Sequence, residues 1–189
     1  MISKFDNLVD LLHQDHMNFE DSLPPVDLWT PELSGDIDIR IDREGRWFHE
    51  GSEFQRKPLV KLFSSILKFE GDDYFLVTPV EKWRIQVDIA PFIIHFVRIE
   101  EACLVMTTNV GNEIIVDQEH PLWVEMDDRH QPLPFIKVQR GLKGLLSRNV
   151  FYQLAEWANE EPFLDSLTGK MVQSLVIESS GYRFSLGAI

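Results

Sequence analysis

The clearest pattern in the chain is a period of two. Ile37, Ile39 and Ile41 alternate with Asp36, Asp38, Arg40 and Asp42, the mark of a strand with one buried face. Asp42-Arg43-Glu44-Gly45 follows. Asp at the first and Gly at the fourth position predict a type I turn closing on a Gly bulge, with Arg46 to Glu50 returning as the second strand. That turn fixes the register: Asp42 faces Arg46, Ile41 faces Trp47, Arg40 faces Phe48, Ile39 faces His49 and Asp38 faces Glu50. One face then carries Ile37, Ile39, Ile41, Trp47 and His49; the other carries Asp38, Arg40, Asp42, Arg46 and Glu50.

Helical spacing appears in three places. Ile2, Phe5, Leu8, Val9 and Leu12 predict an amphipathic helix over residues 3–16, with Ser3 as its N-cap. Arg56 opens a second, with Pro58 in the first turn, an apolar face from Leu59 to Leu67, and Gly71 as the stop. Arg148 opens a third. Counted from each arginine, apolar residues fall at offsets 3, 6, 7 and 10: Leu59, Leu62, Phe63 and Ile66, then Phe151, Leu154, Ala155 and Ala158. Strand patterns fill the rest: 74–77, 83–89, 92–99 and 102–107 in the first half, then 113–116, 122–125, 135–138, 172–178 and 182–186 in the second. Residues 21–35, with Pro24, Pro25, Pro31 and Gly35, read as an extended connector pinned by Trp29. Strands clustered around single helices predict an α+β class. The expected architecture is two small repeat-related domains, each of antiparallel strands packed on one main helix. It divides into an N-terminal helix (1–20), a first domain (21–105) and a second (106–189).

Composition narrows the function classes. The 189 residues carry 31 acidic and 18 basic side chains, a formal net charge of -13. No Lys or Arg run offers the basic footprint that a nucleic acid or an anionic membrane surface requires, so the expected partner is a small molecule or a protein, with the oligomeric state open. The single cysteine, Cys103, excludes an internal disulfide. Within Ala102-Cys103-Leu104-Val105-Met106 it reads as a small buried hydrophobe. No stretch approaches the apolar run of a membrane-spanning helix, and the start lacks a signal-peptide pattern; the expected location is the cytoplasm.

No strong catalytic motif appears: no nucleophile elbow, no phosphate-binding Gly-rich loop, no metalloprotease His pair. His13 and His16 lie one turn apart without a matching pair elsewhere, so neither a metal nor a cofactor is expected. The charged hairpin is the best candidate site. Asp38, His49 and Glu50 offer two carboxylates and a histidine for acid–base chemistry, which makes a small hydrolase the alternative to a non-catalytic binder. Arg40 either joins such a site or pairs with acidic neighbours across the strands, and the register places His49 beside Ile39 as a core histidine. Arg56 and Arg148 stand ahead of helices, against the dipole. Each therefore needs an anion, either an internal one such as Asp42, Glu44 or Glu50, or a ligand.

Several segments together resemble a bacterial family known as domain of unknown function 1285. They include Trp29-Thr30-Pro31-Glu32, Gly45-Arg46-Trp47-Phe48-His49-Glu50-Gly51, Arg56-Lys57-Pro58-Leu59-Val60-Lys61-Leu62-Phe63, Leu76-Val77-Thr78-Pro79-Val80-Glu81-Lys82 and Ser180-Gly181-Tyr182-Arg183-Phe184. The resemblance runs from Trp29 to the C-terminus. It implies a two-domain α+β architecture with a repeated motif and a suggested role in signal transduction, and it carries no established activity or catalytic residues. The function expected is a non-catalytic ligand- or protein-binding module of regulatory kind, with Asp38, Arg40, His49, Glu50, Arg56 and Arg148 as candidate ligand contacts.

Overall fold

A computed structural model describes residues 23–164 and 169–188. The expected helix over residues 3–16, with Ser3, His13 and His16, lies outside the described residues. The chain forms two compact units that divide between Ile89 and Ala90. The expected cut after residue 105 would have passed through a strand (Cys103–Thr108) and broken its antiparallel pairing with Phe92–Glu100.

In the first unit, β1 (Leu33–Ile41), β2 (Trp47–His49) and β3 (Ser52–Glu53) form a meander. α1 (Lys57–Ser65) leads into a second meander of β4 (Leu67–Glu70), β5 (Asp73–Val77) and β6 (Lys82–Val87). The sheet order is β3-β2-β1-β6-β5-β4, and the central β1–β6 pair is parallel. The hairpin forms in the predicted register, with Ile39 opposite His49, Arg40 opposite Phe48 and Ile41 opposite Trp47. Gly45 at φ 75 closes the turn by donating its N–H to the Asp42 carbonyl at 2.9 Å, a conformation cheap for glycine. β2 and β3 are joined by Glu50 and Gly51, both left-handed, as a two-residue type I′ hairpin demands. Ile39, Ile41 and Trp47 point into the core, where Trp47 lies near-parallel to Phe54 and to Phe63 of α1 at 6.3 and 6.2 Å.

In the second unit, β7 (Phe92–Glu100), β8 (Cys103–Thr108) and β9 (Glu113–Ile115) form one meander, and β10 (Leu122–Met126), β11 (Pro132–Gln139) and β12 (Leu142–Leu146) form another. The order is β10-β11-β12-β7-β8-β9, with β12 parallel to β7. α2 (Arg148–Trp157) follows, and β13 (Asn159–Leu164), β14 (Met171–Ser179) and β15 (Tyr182–Ala188) make a separate three-stranded sheet. Ser147 caps α2, its Oγ accepting from the Val150 N–H, so the helix begins with a good cap and does not depend on Arg148.

This architecture corrects the α+β expectation. Among the described residues the fold is mostly β: fifteen strands against two α-helices of nine and ten residues and one 3-10 turn (Val26–Leu28). α1 stops at Ser65 because the apolar run continues into β4, which pairs with β5; Ile66 and Leu67 are fully buried past the helix end. Nor are the two six-stranded sheets purely antiparallel, since each closes on a parallel pair of its first and last strands.

A recurrence exists, in the sheets and not in the arginine-headed helices. Both six-stranded sheets are two meanders joined first strand to last. The match extends to side chains. Phe75 on β5 is opposed by Lys68 and Arg84, with Lys82 over its ring at 4.3 Å and paired to Glu70 at 2.7 Å. Phe135 on β11 is opposed by Trp123 and Leu145, with Lys143 over its ring at 4.1 Å and paired to Glu125 at 3.2 Å. Each Phe faces away from its sheet's core and is nonetheless buried, because a lysine stem covers it while the ammonium keeps a carboxylate and the ring face as partners. α1 lies inside this pattern, between third and fourth strands, whereas α2 follows the sixth. Arg56 and Arg148 are therefore not equivalent positions.

Candidate ligand-binding cleft

The outward face of β1 presents Asp38, Arg40 and Asp42 because the isoleucines between them are drawn into the core. At the hairpin tip Asp42 is nearly buried, its side chain 8% exposed. Its Oδ1 accepts from the Glu44 and Arg46 N–H groups at 3.0 and 2.9 Å, and its Oδ2 accepts from Arg46 Nε at 2.8 Å. A buried carboxylate is tolerable only when satisfied in this way. The hydrogen bond and charge of Asp42 raise the Arg46 guanidinium pKa. Arg46 also lies over the Phe48 ring, 5.6 Å from its centroid.

The second arginine is held across the parallel joint. Arg40 Nε and Nη2 donate to the two carboxylate oxygens of Asp88 at 2.9 and 2.6 Å. Asp88 immediately follows β6, whose parallel alignment puts Val87 beside Ile41. The side-chain hydrogen bond from Arg40 holds the Asp88 carboxyl below its usual range against the opposing effect of burial, helped by the charge of Arg40 and by the N–H and the charge of Arg43. Bidentate pairing of this kind fixes a guanidinium in orientation as well as position.

These groups line a cleft of about 610 Å³, together with Arg43, Glu44, Phe48 and Gly51. Three guanidinium groups and four carboxylates thus converge beside one aromatic ring. Arg43 and Asp38, both exposed, make no side-chain hydrogen bond or ion pair among the described residues.

The predicted site residues separate. Asp38 and Arg40 are in the cleft. His49 is not: it lies on the opposite face of the hairpin, its ring 6.5 Å from that of Phe54. Glu50 sits in the β2–β3 turn, its side chain exposed and its N–H donating to the Asp38 carbonyl at 3.2 Å. Asp38, His49 and Glu50 therefore do not converge as an acid–base group. Arg56 is the N-cap residue of α1 and Arg148 the first residue of α2, in different units. Both are exposed, and neither side chain makes a hydrogen bond or ion pair among the described residues, so the expected carboxylate or carbonyl contacts are not made. Asp88, Arg43 and Phe48 were missed as site residues. Phe48 was visible in the register, and Asp88 continues the Arg84, Gln86 alternation of β6, but only the parallel pairing brings it to Arg40.

Among the described residues no group of three or more His, Cys, Asp or Glu is arranged to hold a metal ion, and no helix is long and apolar enough to cross a membrane. Cys103 is half-buried, with the Ser180 hydroxyl 3.4 Å from its sulfur.

Comparison with known proteins agrees with the division of the chain. The family model "Domain of unknown function (DUF1285), N-terminal domain" matches residues 24–90, and "Protein of unknown function (DUF1285), C-terminal domain" matches residues 91–186. The chain belongs to the DUF1285 family. The model boundary coincides, within a residue, with the division between the two units. Among solved structures, a DUF1285 family protein from Silicibacter pomeroyi DSS-3 is 36% identical over 95% of both chains, with a TM-score of 0.80. Another DUF1285 family protein, from Shewanella baltica OS155, is 30% identical over 64% of this chain and 92% of its own, with a TM-score of 0.52. No curated protein matches.

Proposed function

We propose that this DUF1285 protein is a non-catalytic binding module of regulatory kind, working in the cytoplasm, and that the cleft on the outer face of β1 and β2 takes a small polar ligand. The observation that carries this reading is the state of the charges in the cleft. Arg40 and Arg46 are each locked to a carboxylate through Nε and Nη2, which leaves Nη1 of both guanidinium groups as a spare, oriented donor. A proton-transfer site needs an acid or base poised near the working pH. Here the carboxyl of Asp88 is pushed the other way, toward permanent ionisation, and the one nearby imidazole, His49, lies on the other face. Fixed charges with spare donors beside an aromatic wall suit recognition, and the volume falls within the range of small-molecule sites, roughly 300–1,000 Å³.

The test is a small-molecule screen followed by amide chemical-shift mapping on the intact chain. A hit is expected to move the amides of Arg40, Arg43 and Gly51, to weaken when Phe48 is replaced by Ala, and to be recovered chemically unchanged. Hits that map away from the cleft, or that are converted to product, would overturn the reading.

A further inference from the structure

We infer that the ligand of this cleft is a short peptide with both ends free, its ammonium read by Asp38 and its carboxylate by Arg43. The inference rests on the binding reading above and narrows it to one chemical class. The argument is one of elimination among the charges. Asp42 is saturated by two backbone N–H groups and by Arg46. Asp88 is occupied by Arg40, and Glu44 is paired with Arg46. What remains without a side-chain hydrogen bond or ion pair among the described residues is one carboxylate, Asp38, and one guanidinium, Arg43, whose charge bears on Asp88 without an ion pair to it, with the spare Nη1 donors of Arg40 and Arg46 alongside.

A multiply charged anion such as a phosphate ester would face four carboxylates against three guanidinium groups, two of which are already neutralised. A divalent cation would find only one uncommitted carboxylate, too few for a hard-metal site. A molecule with one positive and one negative end matches what is left. Spacing then selects its length. Asp38 on β1 and Asp42, the residue just after it, lie four residues apart, and a strand rises about 3.3 Å per residue, so their Cα atoms are separated by roughly 13 Å. Arg43 follows Asp42 in the chain and, like Asp38, lines the cleft. The two charges of a free amino acid flank a single carbon and cannot meet both groups. Two or three extended residues, spanning about 7–10 Å, can. Phe48, between the two ends, offers an apolar side chain a ring to rest on.

The probe is the tripeptide Gly-Phe-Gly, titrated into the intact protein by chemical-shift mapping. Its comparisons are N-acetyl-Gly-Phe-Gly, Gly-Phe-Gly amide and free phenylalanine. The free tripeptide is expected to shift Arg40, Arg43 and Gly51, and capping either end should weaken it about tenfold, the scale of one lost charge-assisted contact. Asp38→Asn should abolish discrimination against the acetylated peptide while preserving discrimination against the amide; Arg43→Gln should do the reverse. Both residues are exposed and outside the core, so folding is preserved. Capped peptides that bind as tightly as the free one, or an Asp38→Asn variant that still rejects the acetylated form, would overturn the inference. So would silence of all four probes. In that last case the broader binding reading falls only if the screen for other small ligands is silent as well.

Discussion

Replacing Trp47 tests the hairpin on which the cleft is built. The ring is 1% exposed, opposite the fully buried Ile41, and flanked by Phe54 and Phe63. A buried Trp removes about 150–250 Å² from water, equivalent to about 4–6 kcal/mol at 25 cal/mol per Å². Measured aromatic-to-Ala losses in cores run at about 3–5 kcal/mol, and that is the expected cost of Trp47→Ala. A second feature makes the test sharper. The indole Nε1 is buried with no acceptor among the described residues, and an unsatisfied buried donor costs about 1–3 kcal/mol. Trp47→Phe surrenders about 1–2 kcal/mol of area and packing but also removes that donor, so its net effect should lie within about 1 kcal/mol of zero. With two units in the chain a single unfolding transition is not guaranteed. The assay is therefore native-state amide exchange of β1 and β2 residues, backed by urea unfolding followed by circular dichroism. A loss below about 1 kcal/mol for the Ala variant would refute the packing, and a Phe variant as damaged as the Ala variant would refute the argument about Nε1.

Three further outcomes follow from the same geometry. Asp88 has its folded pKa depressed, so its stabilisation is complete above the unfolded value of about 3.9 and is lost as pH falls through the folded value; the stability gap between wild type and Asp88→Asn should therefore be widest above about pH 4 and close in stronger acid, and a gap unchanged down to pH 2 would contradict it. Gly144→Ala would place a Cβ 2.9 Å from Val138 Cγ2 and 3.2 Å from Ile94 Cδ1, and should destabilise the second unit by about 1–3 kcal/mol through overpacking, read as a lower denaturant midpoint. Arg56→Ala and Arg148→Ala, exposed and without side-chain partners among the described residues, should each change stability by less than about 0.5 kcal/mol in the same measurement.

The hairpin was legible because two local signals agreed: the isoleucine alternation set the face, and the Asp42–Gly45 turn set the register. What escaped depended on partners distant in sequence. β12 contains Gly144, and a glycine ordinarily weakens a strand; here it admits Val138 and Ile94 at close range. β13, in which three polar residues are followed by Pro162, Phe163 and Leu164, has no alternation to detect and forms the edge of its sheet, where proline is tolerated. The helix pattern from Leu59 to Leu67 was real as an apolar run and wrong as a helix beyond Ser65, since burial by β5 rewards the same residues. Half of the cleft was readable for the same reason as the hairpin. The other half was not, because Asp88 stands 48 residues from Arg40 and reaches it only through a parallel pair that local pattern does not announce.

The shared strand order explains why the cleft belongs to the first unit. Aligning the units through their buried outer phenylalanines sets Arg84 against Leu145, the residues opposite Phe75 and Phe135. Counting on from there, Asp88 of the first unit corresponds to Asn149 of the second. In the first unit β6 continues to Val87 beside Ile41, and the next residue delivers its carboxylate to Arg40. In the second unit the strand ends at Leu146, because Ser147 turns the chain into α2 as its N-cap. The residue that would carry the anion is thereby drawn into a helix. The arginine on the outer part of β7, Arg98, is satisfied instead within its own meander, by Glu113 and Glu100 at 2.7 and 3.0 Å. One strand extended by two residues thus separates a sheet whose central arginine is tied across the parallel joint from one whose arginine is not. Only the first arrangement holds a guanidinium rigid at the mouth of the hairpin with a donor to spare.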